Sequence, residues 1–229
     1  MNFNFYDIIK YLVPNFLKNL IKKKRYYNAI DNIDRKLNKY INRRNGFYIE
    51  CGANDGVNQS NTWFFEKKLN WRGILIEPVP KLFTQLKNNR CKKNIFENVC
   101  LVGKNYKSKY INMRYDNCQT KVFGDNKNKK IKAKTSTLSE LLDKNKIIKS
   151  IDLFTLDVEG YENNVLDGIN FAKHNFKFFL IETKKFIKIK KYLNSRNYQF
   201  IKELSRHDYL FKYTPKKYEK DINSTHIKK

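Results

Sequence analysis

Three short apolar runs in this chain each end in an acid and drop at once into a turn, and that repeated pattern narrows the fold more than any other feature. The runs are Phe47-Tyr48-Ile49-Glu50, Ile74-Leu75-Ile76-Glu77 and Ile151-Asp152-Leu153-Phe154-Thr155-Leu156-Asp157. A short apolar run bounded by turn signals reads as a strand buried on both faces. Strands alternating with helical spacing over residues 46–181 imply right-handed βαβ crossovers and a parallel sheet. In such a sheet ligands gather outside the carboxyl ends of the strands, which is where these acids fall.

The first strand runs into Cys51-Gly52-Ala53-Asn54-Asp55-Gly56. Glycines there admit φ > 0 and let a ligand lie against bare main chain, although an ordinary strand-to-helix turn has the same look. The spacing is G-x-x-x-G and differs from the G-x-G-x-x-G that cradles a pyrophosphate. An acid at the strand end would repel a pyrophosphate but suits an ammonium group. Glu77 falls about one βα unit past Gly56, where a carboxylate accepts from ribose hydroxyls, and Pro78 suits the first turn of a following helix. The two strand ends together favour a phosphate-free nucleoside with an amino-acid tail, and S-adenosylmethionine is such a ligand. Glu50, Gly52, Asn54, Gly56, Glu77 and Asn98 form the expected cofactor-binding set.

The third strand delivers Asp157 and Glu159 to the same edge, beside the cofactor's reactive end. Glu162 opens the next helix, and satisfying that helix's free N–H groups is the plainer role for it. Near the end of the chain, residues 198–204 and 208–213 read as a hairpin around Ser205-Arg206-His207. Of the three histidines, His174 follows a helix and His226 lies in the tail, so only His207 falls near the catalytic edge. Asp157, Glu159 and His207 are therefore the candidate proton acceptors. Asp157, Glu159 and Glu182 are also hard oxygen donors of the kind Mg²⁺ takes; spacing alone does not establish a site, and no metal is assigned.

The succession F-Y-I-E-C-G-A-N-D-G, W-R-G-I-L-I-E-P, T-L-S-E-L-L and I-D-L-F-T-L-D-V-E-G-Y-E-N-N-V-L resembles the FkbM-type methyltransferases over about residues 46–213. The resemblance implies an α/β class I methyltransferase fold. Its Rossmann-like sheet is mostly parallel with a C-terminal antiparallel strand, which residues 208–213 would supply. It also implies S-adenosylmethionine as methyl donor and, as for many members, a hydroxyl of a sugar or natural product as acceptor. This chain departs from the family at Glu50, where Asp is more usual, and carries extra material at both ends. The domain reading is a helical extension over 1–44, a methyltransferase domain over 45–214 and a disordered basic tail over 215–229. Methyl transfer is an in-line displacement, so the protein's work is to hold the acceptor oxygen in line and take its proton.

A formal charge of +26 is the loudest number in the composition, and such a charge ordinarily points to nucleic acid or an anionic surface. The chain is also crowded with Asn and Ile, as an AT-rich coding sequence would make it. Its lysines are spread over 22–25, 127–134, 184–191 and the tail. A solvated basic face is the plainer reading, with nucleic acid and anionic membranes or polymers behind it. There is no N-P-P-Y-like loop for amino methylation and no evident K-D-K-E set for ribose methylation. Cys51, Cys91, Cys100 and Cys118 are scattered, which argues against a zinc site or disulfide framework and for a reducing compartment. No signal peptide and no spanning apolar run is evident, so a cytoplasmic location is expected. Within 1–44, apolar residues recur at helical spacing around Pro14. A flap packed on the sheet is favoured over peripheral membrane contact through its basic face.

The function expected is an S-adenosylmethionine-dependent O-methyltransferase acting on a saccharide or similar small polar acceptor. The alternatives are an RNA or other nucleic-acid methyltransferase and a non-catalytic binding protein that keeps the cofactor fold.

Overall fold

The strands expected at the three acid-ended runs form the centre of a seven-stranded sheet in the computed structural model, which describes residues 27–116, 119–122, 130–148 and 150–215. They are β1 (Phe47–Cys51), β2 (Arg72–Ile76) and β8 (Ile151–Leu156). Parallel β3 (Ile95–Glu97) lies beyond β2 and parallel β9 (Phe176–Glu182) beyond β8. The hairpin is β10 (Tyr198–Ser205) and β11 (Asp208–Tyr213), and β11 inserts antiparallel between β9 and β10. The order is β10-β11-β9-β8-β1-β2-β3. Numbered within this sheet alone it reads 3-2-1-4-5-7-6, the class I methyltransferase arrangement expected above.

Alternation along β1 sets the two faces. Phe47 and Ile49 pack with α4 (Leu138–Lys144), α5 (Glu162–Asp167) and α6 (Phe186–Asn194) through Leu141, Leu142, Leu166 and Ile189. Tyr48 faces the other way, toward Phe64 and Phe65 of α2 (Trp63–Leu69) and Leu86 of α3 (Pro80–Asn89). Both faces are covered, as a parallel sheet requires. Helix α4 begins at a capping box in which Thr137 and Glu140 bond each other's backbone N–H, and this accounts locally for the T-L-S-E motif.

Two readings are refined. The helical spacing within 1–44 predicts a short helix before Pro14 and a longer one after it; among the described residues of that stretch α1 spans Ile33–Ile41. Asp31 and Asn32 take positive φ, and the buried Asp34 carboxylate accepts from the Asn28 and Ala29 N–H groups, folding the preceding chain back across the helix start. Its Ile33, Leu37 and Ile41 pack on the sheet. The polar, lysine-rich stretch 104–134 carries two short alternating runs, 110–115 and 131–135, and these become strands of a second sheet of order β4-β7-β5-β6. Its strands are β4 (Cys100–Leu101), β5 (Tyr110–Asp116), β6 (Gln119–Val122) and β7 (Lys130–Ser136). The helix expected before Pro14, the basic tail beyond 215, Cys118 and His226 lie outside the described residues.

Candidate active site

A cavity of about 390 Å³ opens at the carboxyl edge of the main sheet, a size ordinary for a small-molecule site. Its wall combines the glycine loop, the ends of β2, β8 and β9, the β10–β11 turn, Met113 of the second sheet, and Ile30, Asp31 and Ile33 from the start of α1. The acid-ended strands thus converge on one space. Gly52 is required there: its φ is +85°, and a Cβ would stand 2.0 Å from the Asp157 carbonyl oxygen. Loop and β8 therefore touch backbone to backbone, and the Asp157 N–H donates to the Cys51 carbonyl at 3.1 Å.

Glu77 lies at the cavity wall, 5% exposed. Its carboxylate accepts from the Asn54 N–H and the Val79 N–H, each at 2.9 Å. Burial raises this carboxyl to about 7 against the pull of those two N–H groups. Asn98 is absent from the cavity wall; its amide donates to the Glu77 carbonyl at 2.7 Å and positions that residue from behind. Gly56 also lies off the wall. A Cβ on it would run into Leu86 and Arg90, so its positive φ serves packing against the end of α3.

Glu50 touches the cavity but is engaged elsewhere. It accepts from Ser60 Oγ (3.0 Å), the Asn61 N–H (2.9 Å), Thr62 Oγ1 and Arg90 Nη1 (3.2 Å). Arg90, 2% exposed, spends all its donors here. Nε binds Glu66, Nη1 binds Glu50, Ser60 and the Gly56 carbonyl, and Nη2 binds Tyr48 and Thr62. Burial pushes the Glu66 carboxyl up, yet Arg90 holds it at about 2. Sequence reasoning missed Arg90, Glu66 and Tyr48. In sequence Tyr48 is one residue of an apolar run, while Glu66 and Arg90 sit among lysines and asparagines with nothing to single them out. Beside this network, Asn61 lines the cavity, and its Oδ1 is buried with no hydrogen-bond partner among the described residues.

The other end of the cavity is acidic. Asp157, Glu159 and Glu182 line it with Asp31 and Asp208, and Arg206 is the only cationic side chain on the wall among the described residues. Burial, then the charges of Glu182 and Glu159, push Asp157 well above the usual carboxylate range, and its carboxyl is hydrogen-bonded to Glu182. Burial and the charge of Asp208 raise Glu182 as well. Asp208 is raised by burial and by Asp31, against a hydrogen bond from Ser205 and the nearby His207 and Lys36. Asp157 and Glu182 thus each have a raised affinity for a proton and face one another at the cavity's acidic end. Glu159 sits at φ 52° on the loop after β8. Glu162 braces that loop by accepting from the Gly160 N–H at 2.6 Å and from Thr183 Oγ1 at 3.2 Å. His207, at φ 78° in the hairpin turn, is not on the cavity wall although its neighbours Arg206 and Asp208 are. Among the described residues no group of His, Cys, Asp and Glu has the geometry to hold a metal ion, and no helix is long and apolar enough to cross a membrane.

Residues 50–211 match the family model described as the methyltransferase FkbM domain. No curated protein matches in sequence. Among solved structures, a methyltransferase from Geobacter sulfurreducens is 11% identical with a TM-score of 0.44, covering 91% of this chain and 93% of its own. The fibrillarin pre-rRNA processing protein of Methanococcus jannaschii is 14% identical with a TM-score of 0.43, covering 76% and 69%. A methyltransferase from Pyrococcus furiosus is 13% identical with a TM-score of 0.42, covering 79% and 82%.

Proposed function

This chain belongs to the FkbM methyltransferase family, and on that premise we propose that it methylates a hydroxyl of a saccharide or similar polar small molecule. The observation that carries the proposal is the division of the cavity wall, with Gly52 and Glu77 at one end and the acidic pair Asp157 and Glu182 at the other.

The residues present fit S-adenosylmethionine. Gly52 leaves the backbone bare where a ligand must approach, Glu77 offers carboxylate oxygens to ribose hydroxyls, and the acids around Asp157 favour a cation. Bound there, the cofactor supplies an electrophilic methyl group on a sulfonium. The chain does the rest. The Asp157–Glu182 pair accepts a hydrogen bond from the acceptor hydroxyl and takes its proton as the oxygen gains the methyl group. Its raised affinity for a proton makes it a better base than an ordinary carboxylate. Ile30, Ile33 and Met113 add apolar surface to the wall.

The acceptor's chemistry is argued from the same wall. A phosphate backbone brought to this edge would meet Asp31, Glu159, Glu182 and Asp208 with one arginine to offset them. A neutral or cationic polyol meets hydrogen-bond acceptors instead. The overall charge of +26 remains the argument for nucleic acid, but within the described residues it does not extend to the site. Label transfer from S-adenosylmethionine into a panel of glycans, RNA and peptides tests the proposal. Incorporation into the glycans is expected, and incorporation into RNA alone would overturn the acceptor assignment.

A further inference from the structure

Among the described residues three buried side-chain atoms have no hydrogen-bond partner, and of these only Asn61 Oδ1 belongs to the cavity wall. Its surroundings make that vacancy specific. The Ser60 and Thr62 hydroxyls donate to Glu50, and so does the Asn61 N–H. The Thr62 and Trp63 N–H groups bond Ser60 Oγ in turn, so the backbone on both sides is held. The Asn61 side-chain oxygen is left without a partner by this network.

Glu50 was the residue expected to receive an ammonium. An ionised carboxylate offers about four lone-pair sites, and Ser60, the Asn61 N–H, Thr62 and Arg90 supply donors for them. A further strong donor would have to displace one of these. The adjacent Asn61 oxygen has nothing to displace, and a buried acceptor left unpaired is costly until a donor arrives. Its terminal torsion is broad and two-fold, so turning the amide carries the oxygen to the cavity without moving the backbone. We propose that Asn61, and not Glu50, is the residue that accepts the ammonium of the cofactor's amino-acid tail, with Glu50 holding the segment in place. This rests on the cofactor reading above and adds to it the residue that recognises the tail.

Titration calorimetry with S-adenosylhomocysteine, and with its analogue in which hydrogen replaces the amino group, provides the test. Wild type is expected to bind the parent compound about 10- to 100-fold more tightly than the analogue, as for a hydrogen bond to a charged group. Asn61→Ala should erase that gap by weakening the parent while leaving the analogue's affinity unchanged. Asn61→Asp, which keeps an acceptor, should preserve it. A gap that survives Asn61→Ala, equal weakening of both ligands, loss of the gap in Asn61→Asp, or loss of the gap in Glu50→Gln alone would each overturn the assignment. Wild type that binds neither ligand would sink the cofactor reading and the assignment together.

Discussion

Beside the β1 end of the cavity Glu50 and Glu66 share a buried guanidinium, while at the β8 end Asp157 and Glu182 face one another without one. The residue types are the same and the use is opposite. Arg90 closes its network with every donor placed, so the first set of acids is structural, and removing any member leaves a buried charge or donor exposed to loss. The second set has no side-chain cation closing it; each raised carboxyl stores a preference for a proton that an incoming cation or hydroxyl can use. In this fold, an acid on the cavity wall points to chemistry where no buried cation already holds it.

The comparison breaks most visibly at Arg90. Arg90→Leu leaves Glu50 and Glu66 buried without their partner and should cost about 3–5 kcal/mol of folding stability. Denaturant unfolding reads this directly, and a loss under about 1 kcal/mol would mean the network does not hold the loop. The intermediate effect belongs to Glu77, between the two ends. Ribose hydroxyls donate to its carboxylate form, so cofactor affinity should rise with pH up to about 7 and level off above it. Glu77→Ala should remove this pH dependence and cost about 1.5–3 kcal/mol of cofactor binding at pH 8. Calorimetric affinities that are flat with pH in wild type would remove Glu77 from the contact.

The smallest effect sharpens the acidic end. Asp157 faces Glu182, Glu159 and Asp208, and its carboxyl titrates well above the usual range when folded. A raised folded value contributes stability at low pH that is lost as pH rises through that value. The ligand-free protein should therefore weaken on going from pH 5 to pH 8. Asp157→Asn removes one acid and keeps a donor toward Glu182, so it should be about 0.5–2 kcal/mol more stable than wild type at pH 8, with lower turnover. Melting curves at the two pH values check this; identical pH dependence in variant and wild type would show that the pair stores nothing.

What could be read from the sequence followed the chain's local geometry. Strand, acid and glycine loop are contiguous, so Gly52 and Glu77 reach the cavity where the motif places them. Arg90, Glu66 and Tyr48 come from three elements and meet only after folding; no spacing rule brings them together. Asn98 is off the cavity wall, its amide donating to the Glu77 carbonyl, a contact between two separate loops that sequence does not carry. His207 is one residue from the cavity lining on both sides, yet it stands off the wall in a hairpin turn at positive φ. In the second sheet, β5 and β7 were visible as alternating runs. The parallel pairing of β4 with β7 joins only Cys100–Thr135 and Leu101–Ser136 and is too short to leave a pattern.

The turn before α1 lines the cavity, and α1 itself is seated on the far hairpin. Lys36 Nζ donates to the Leu204 carbonyl across 168 residues of sequence, and Leu37 packs in the same cluster as Leu204 and Leu210. On a ribosome this order has a cost. The segment that covers the cavity is synthesised before the sheet, but its seat is among the last strands to emerge. Contacts of such separation form late and slowly. The cavity is therefore completed only when the hairpin docks. A nascent or nicked chain lacking β10 and β11 would hold the glycine loop without its cover, which ties methyl-donor capture to completion of the whole domain.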